Sequence, residues 1–242
     1  IWIIRRYAEK CQLLDHPNER SSHSMPTPRG GGWMIVLLVT GAGLWTVFAA
    51  GFDTLNRPVL SRGLIFIVCG IIIAWLGWRD DLHSLSPRLR FSVQSMVALT
   101  SILGFGYFKA VTIPLFGELQ LGVVGFIITF LWIVGLTNAY NFMDGIDGIT
   151  GVQTIGAGAW IALWTWGSAP SLAWASLAVM AAAAGFLIFN LPPARIFMGD
   201  VGALAIGFWL AGLGVLGEHA GLPLWVAALP LGYYLYDTLY TL

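Results

Sequence analysis

The strongest constraint on this chain is a succession of apolar runs, each about long enough to cross a lipid bilayer. They can be drawn at Trp33–Phe52, Gly63–Trp78, Phe91–Phe108, Leu119–Leu136, Gly151–Gly167, Ser171–Phe189, Val201–Leu216 and Leu222–Leu242. A spanning helix needs roughly 17 to 25 such residues. With 57% hydrophobic residues, 10% charged residues and a mean hydropathy of +0.78, the chain is too apolar for a soluble domain of 242 residues. The expected fold is all-α, a polytopic transmembrane helical bundle with eight or nine helices in this stretch. Ile1-Trp2-Ile3-Ile4 running straight into Arg5 and Arg6 reads as the tail of an earlier span, and Leu242 stops within an apolar run. A single membrane domain over residues 1–242, truncated at both ends, is the expected organisation.

Charge orients the bundle. One set of alternate loops collects Arg5, Arg6, Lys10, Arg20, Arg29, Arg79, Arg88, Arg90 and Arg195, and the other has only Arg57, Arg62 and Lys109. Nine against three assigns the first set to the cytoplasm. The acids follow the same partition. Asp80 and Asp81, Asp144 and Asp147, and Asp200 fall at that end of the helices although they come from three separate loops. A cation-coupled transporter would instead want its acids near the bilayer midplane.

The richest of the polar stretches is Asn138-x-x-Asn141-x-x-Asp144-Gly145-x-Asp147-Gly148. A spacing of three drifts about 60° per step around an ideal helix. These four side chains therefore imply a helix end that tightens or breaks, with Gly145 and Gly148 permitting the break. The bland alternative is a polar loop between two spans. Asp80 and Asp81 are adjacent carboxylates that need compensation, either from Arg79, Arg88 or Arg90 or from a divalent cation. Asp200 directly before an apolar run is a natural N-cap, which does not account for a third acidic site on the same face. Residues Cys11–Gly32 form the one long hydrophilic segment, ending in Arg29 and three glycines that could offer N–H groups to phosphate oxygens or simply make a turn. Cys11 and Cys69 lie too far apart in type of segment to indicate a disulfide or a thiolate metal site. Carboxylates and carboxamides suit a hard cation such as Mg²⁺, with Mn²⁺ as the alternative.

Taken together these residues carry a resemblance. Asp80 and Asp81 with Leu85-Ser86-Pro87, the Asn138 to Gly148 series, Phe197-Met198-Gly199-Asp200 with Gly202, and Asp15-x-Pro17-Asn18-x-Arg20-x-x-His23 followed by Pro26-Thr27-Pro28-Arg29-Gly30-Gly31 resemble the polyprenyl-phosphate N-acetylhexosamine-1-phosphate transferases. The wording of the Asn141 to Gly148 stretch is closer to the O-antigen and teichoic acid branch than to the phospho-N-acetylmuramoyl-pentapeptide transferases.

The resemblance implies about ten helices in a full protein and a cytoplasmic cleft in a bacterial inner membrane. It implies transfer of a sugar 1-phosphate from a UDP-N-acetylhexosamine to undecaprenyl phosphate, with Mg²⁺ as cofactor, at the start of lipopolysaccharide or other cell-surface polysaccharide synthesis. Carried over, Asp200 is the Mg²⁺ ligand, and Asp80, Asp81, Asn141 and Asp144 belong to the catalytic centre. Asp147, Asn190 and Phe197 attend the uridine, the ring of Phe197 stacking on the base, while Arg29 and His23 in the first loop help to bind the substrates. A homodimer is compatible with the family, and no nucleic acid partner is implied. The family's His-rich loop near the C-terminus is expected beyond Leu242, since this stretch stops before it could appear. An inactive nucleotide-sugar-binding scaffold would bind the same ligands without turnover.

Overall fold

The computed structural model describes residues 4, 6, 14–15, 26–54, 57–113 and 117–241. Long helices dominate: α1 (Gly32–Thr54), α2 (Arg57–His83), α3 (Pro87–Phe105), α4 (Val123–Met143), α5 (Ile149–Thr165), α6 (Pro170–Asn190) and α7 (Asp200–Glu218), followed by the short α8 (Leu224–Ala228) and α9 (Gly232–Thr241). Five of them, α1, α2, α4, α6 and α7, are long and apolar enough to cross a membrane. In a bilayer the backbone must satisfy its own hydrogen bonds, and these runs do so as helices. The chain is an all-α polytopic membrane protein.

Three apolar runs depart from the expected boundaries in ways that local chemistry explains. The last run, Leu222–Leu242, is not one helix. Pro230 lacks an N–H and crowds the preceding turn, and the chain passes through a 3₁₀ turn at Leu229–Leu231 between α8 and α9. The run beginning at Leu119 starts in a hairpin of β3 (Ala110–Ile113) and β4 (Gly117–Gln120), and its helix begins only at Val123. The helix in the Phe91–Phe108 run ends at Phe105, where Gly106 turns the backbone to φ 104°. At its other end Ser86 accepts from the Leu89 N–H at 3.3 Å and Pro87 occupies the first turn.

The bundle is built around α7. Every side chain from Val201 to Val215 is buried, which a helix apolar on all sides requires. It packs chiefly against α2 and α4, with α1, α5 and α6 also in contact. Gly32 and Gly202 meet backbone to backbone, and a methyl group on either would collide with the other's Cα. Gly77 of α2 likewise faces the Asp200 carbonyl with no room for a side chain. These small residues bring the ends of α1, α2 and α7 to within touching distance at one face. At the opposite face Trp164, Trp166, Trp174 and Trp225 cluster, with ring centroids 5.6 Å apart for Trp166 and Trp174 and 6.4 Å for Trp164 and Trp225. Tryptophans at that level mark a membrane–water interface.

Candidate active site

The acids of three separate loops meet at the tip of α7. Asp200 is the first residue of that helix, and Asp80 and Asp81 lie in the last turns of α2. Asn141 closes α4 one turn before Asp144, which terminates it. None of these positions is at the midplane of a span. The Asn141 side-chain amide donates to Asp200 Oδ1 at 2.7 Å, a bond joining residues 59 apart in sequence. The carboxyls of Asp80 and Asp200 adjoin, and Asp144 feels the charges of both Asp81 and Asp200.

The expected break in the Asn138 to Gly148 series is present. Helix α4 ends at Met143, a turn follows, and Gly148 adopts φ 80° before α5 begins. Gly145 keeps an ordinary negative φ among the described residues. The four polar side chains therefore separate. Asn138, still a full turn inside α4, points at α3, where it exchanges two amide hydrogen bonds with Gln94 at 2.7 and 3.2 Å. It braces two helices and is not part of the cluster. Asp147 accepts from the Ala194 N–H at 2.9 Å. Asn190, buried at 4% exposure, accepts from the Gly148 N–H at 2.9 Å and donates to the Ile196 carbonyl at 3.1 Å. Both ends of its amide are thus engaged by protein. Together Asp147 and Asn190 fix the loop that carries the half-buried Phe197.

Helix capping here is the reverse of what adjacency in sequence implies. Asp200 does not cap its own helix. The N-cap position is Gly199, which has no side chain to offer, and the orphan N–H groups of Asp200 and Val201 are satisfied by Asp81 Oδ1 and Oδ2 at 3.0 and 3.1 Å. A carboxylate at a helix N-terminus also meets the positive end of the helix dipole. Relieved of capping, the Asp200 side chain turns to Asn141 and Asp80.

Asp80 is 7% exposed and both its oxygens are taken. Oδ1 accepts from the Leu85 N–H at 2.6 Å, and Oδ2 pairs with Arg90 Nη1 at 2.8 Å. Of the three arginines that could compensate the acid pair, Arg90 does so, whereas Arg79 lies over the Trp75 ring at 5.8 Å. Of the two readings of the triple glycine, phosphate cradle or turn, the structure favours a structural junction. The N–H groups of Gly31 and Gly32 donate to the carbonyls of Phe197 and Met198, both at 2.9 Å, and the Phe197 N–H donates to Pro28 at 2.8 Å. These bonds zip the two loops together. Arg29 pairs with Asp15 at 2.7 Å across β1 (Leu14–Asp15) and β2 (Thr27–Pro28), and its charge still reaches Asp144. His23 and Cys11 lie outside the described residues.

Burial pushes the Asp144 carboxyl up to about 7. The nearby Thr150 hydroxyl and the Arg29 charge pull the other way, and the charges of Asp200 and Asp81 add to the rise. Among the described residues no three His, Cys, Asp or Glu side chains form a ready-made metal cage. What the site does offer is hard oxygen donors, Asp200 foremost, crowded together with too little positive charge nearby. That donor set fits a cation which keeps water or phosphate oxygens as its other ligands. Two residues beneath Asp144 escaped sequence reasoning altogether. Thr150 of α5 and Tyr234 of α9 are fully buried next to it, and neither belongs to an acidic or amide motif that would have drawn attention.

Comparison with known proteins identifies the family. Residues 63–218 match the model of glycosyl transferase family 4. A Bacillus subtilis protein named "Probable undecaprenyl-phosphate N-acetylglucosaminyl 1-phosphate transferase" is 33% identical over 247 residues, covering 99% of this chain and 66% of that protein. The phospho-N-acetylmuramoyl-pentapeptide-transferase of a Neisseria meningitidis serogroup C strain is 32% identical over 253 residues, covering 89% of this chain and 67% of its own length. An undecaprenyl-phosphate alpha-N-acetylglucosaminyl 1-phosphate transferase of Thermotoga maritima is 28% identical, covering 99% and 68%. The chain spans about two thirds of the length of these relatives. With more than half of its residues under the family model, this chain belongs to glycosyl transferase family 4.

Proposed function

We propose that the protein transfers an N-acetylhexosamine 1-phosphate from a UDP-sugar to undecaprenyl phosphate, releasing UMP, at the cytoplasmic face of a bacterial inner membrane. Such a reaction would begin the assembly of a cell-surface polysaccharide, of which O-antigen is one kind. The names of the relatives support the acceptor and the transferred group. The observation that carries the reading to this chain's own residues is the meeting of Asp200, Asn141, Asp144 and Asp80 at the tip of α7, the end to which the loop-charge count of the sequence assigns nine of the twelve Lys and Arg.

The transfer makes one bond and breaks one. An oxygen of the acceptor phosphate attacks the sugar-bearing β-phosphorus, and the bond from that phosphorus to the bridging oxygen breaks, so UMP leaves with the oxygen. The acceptor's second pKa is about 6, so it arrives largely as a dianion and no strong base is demanded. Phosphoryl transfer of this kind depends on positioning and on neutralising charge. A Mg²⁺ held by Asp200, with Asp144 close by, would supply that neutralisation at the diphosphate.

The protein's part is to aim these groups. Asn141 donates to one oxygen of Asp200, and the Asp80 carboxyl adjoins the same side chain. Asp81 fixes the helix that bears Asp200. Asp80, with both oxygens engaged, positions the end of α2 and does not act as a base. Asp147 and Asn190 hold the loop of Phe197, whose ring is the stacking surface for uracil. Arg29, whose charge reaches Asp144, and His23 are the first-loop residues assigned to substrate binding.

The test uses full-length protein in detergent, undecaprenyl phosphate and UDP-N-acetylglucosamine labelled in its β-phosphate. Label passing into the lipid fraction with unlabelled UMP released is the expected result. Label released as UDP would mean transfer of the sugar without its phosphate and would overturn the reading.

A further inference from the structure

One turn below the acidic cluster, α3 and α4 are joined by a pair of side-chain amides that the proposed chemistry does not use. Gln94 of α3 donates to Asn138 Oδ1 at 3.2 Å. The Asn138 amide returns a bond to Gln94 Oε1 at 2.7 Å and gives its second hydrogen to the Val134 carbonyl at 2.8 Å. Gln94 is 2% exposed, whereas Asn138 is exposed. Accessible though it is, Asn138 has spent both amide hydrogens within the protein and has no donor left for a ligand. Its contribution must run through the helices it joins.

The pair is one link of a closed circuit. A turn before Gln94 on α3, Arg90 bonds to Asp80 of α2 at 2.8 Å. A turn after Asn138 on α4, Asn141 donates to Asp200 of α7 at 2.7 Å. Asp81 of α2 then accepts from the N–H groups of Asp200 and Val201. Side-chain bonds thus run from α2 to α3, α4 and α7 and back to α2, and Asp200 stands where the circuit closes. Among the described residues the amide pair is the one side-chain hydrogen-bonded contact between α3 and α4.

Two bonds between the same two side chains fix rotation as well as distance. A slip of α4 by one residue moves a side chain about 1.5 Å along the axis and about 100° around it, which breaks both bonds. The seat of α4 on α7 supplies no comparable stop. Where the two helices cross, Gly207 of α7 faces the Leu136 carbonyl and the Thr137 Cα without room for a methyl group, and backbone lying on backbone leaves no side chain to key the rotation. Asn141 follows Asn138 by about 4.5 Å along α4 and about 60° around it. Any roll of α4 is therefore carried to the amide that holds Asp200.

We infer that Gln94 and Asn138 are positioning residues whose amide pair sets the rotation of α4 and thereby aims Asn141 at Asp200. This inference rests on the proposed transferase reading. Neither side chain touches substrate. They act through Asn141, as the outer supports of a functional carboxylate do.

The experiment compares the unaltered full-length protein with Gln94→Met/Asn138→Leu, which replaces both amides by apolar groups of similar size and leaves neither unpaired, and with the reciprocal exchange Gln94→Asn/Asn138→Gln. Turnover is followed as UMP release. The apolar pair should resist unfolding in mixed micelles about as well as the parent, yet its kcat should fall by about 10–100-fold with KM for either substrate unchanged. The exchange, which keeps two facing amides, should recover most of that loss. Once Asn141 is Ala, the apolar pair should have no further effect on kcat. A second readout does not need activity. The infrared carboxyl band that disappears in Asp200→Asn should shift in Asn141→Ala, and in the same direction in the apolar pair. If the apolar pair does not fold, Gln94→Met alone, which leaves Asn138 bonded to Val134, carries the same expectations for kcat and band. Parent kcat in the folded variant, a further loss beyond that of Asn141→Ala, or a stationary band overturns the inference. A shifted band in a protein that transfers no sugar phosphate would uphold the aiming of Asn141 and refute the transferase reading instead.

Discussion

Replacing Asp81 isolates the role of a side chain that grips a helix 119 residues away in sequence. In Asp81→Ala the N–H groups of Asp200 and Val201 lose acceptors at 3.0 and 3.1 Å. Loss of an N-cap costs about 0.5–2 kcal/mol, and loss of a half-buried charge at a helix N-terminus up to about 2 kcal/mol more. Removing one carboxylate from a cluster containing Asp80, Asp200 and Asp144 relieves repulsion and offsets part of this. The net destabilisation should be about 1–3 kcal/mol, and about half as much for Asp81→Asn, which keeps one acceptor oxygen. Two assays read it: unfolding in mixed dodecyl maltoside and SDS micelles, and amide hydrogen exchange at Asp200 and Val201. A loss of about 2 kcal/mol would speed exchange at those amides roughly 30-fold. Because the freed helix tip carries Asp200, turnover should fall as well, by about 100-fold for a displacement near 1 Å. Wild-type exchange in Asp81→Ala would refute the capping argument. Full stability and normal exchange with activity abolished would show that Asp81 works on the reactants and not on the helix.

Other expectations follow from the same contacts. Arg90→Gln leaves Asp80 buried without its cation, and since Arg90 is itself about a third exposed the loss should be about 2–3 kcal/mol, measured by the same micellar unfolding. Gly202→Ala must push apart the backbones of α1 and α7, so it should destabilise by more than about 1 kcal/mol and weaken nucleotide binding, read by calorimetry. The pH dependence has a definite sign. Asp144, pushed up to about 7 in the metal-free fold, favours the native state fully at acid pH and loses that contribution as pH rises from about 4 through about 7. Metal-free protein should therefore unfold more easily at pH 8 than at pH 5 as far as this group decides. A bound cation should reverse the trend, and its affinity should rise up to about tenfold per pH unit below 7 and level off above. Titration of metal affinity between pH 5.5 and 8.5 checks both statements.

Much of this architecture was legible in the sequence because the bilayer leaves few choices. Apolar runs became helices, and the Lys and Arg partition correctly gathered Asp80, Asp81, Asp144 and Asp200 on one face. Local chemistry also read well where it acts over a few residues, as at Gly148, whose φ of 80° ends the Asn138 to Gly148 series. What stayed hidden depends on tertiary contact. Asp200 looked like the cap of α7, yet the cap comes from Asp81 on α2, and no periodicity connects those positions. Asn138 shared the spacing of the site residues but sits on the part of α4 that faces Gln94. The glycines after Arg29 could be read as a phosphate loop or as a turn, and the N–H groups of Gly31 and Gly32 complete a junction with residues 197 and 198. The break at Pro230 was written in the chain and masked by the apolarity around it. Thr150 and Tyr234 carried no signal at all, since a threonine and a tyrosine in apolar helices resemble any others until the fold sets them under Asp144.

The most direct test of the central claim is UMP release by the full-length protein, given undecaprenyl phosphate and UDP-N-acetylglucosamine, with Mg²⁺ or EDTA and with Asp200→Asn. The account predicts release that needs the lipid, stops with EDTA and falls by at least about 100-fold in a folded Asp200→Asn protein. Release that continues unchanged in Asp200→Asn, or that ignores EDTA, would contradict the assignment of the chemistry to the tip of α7.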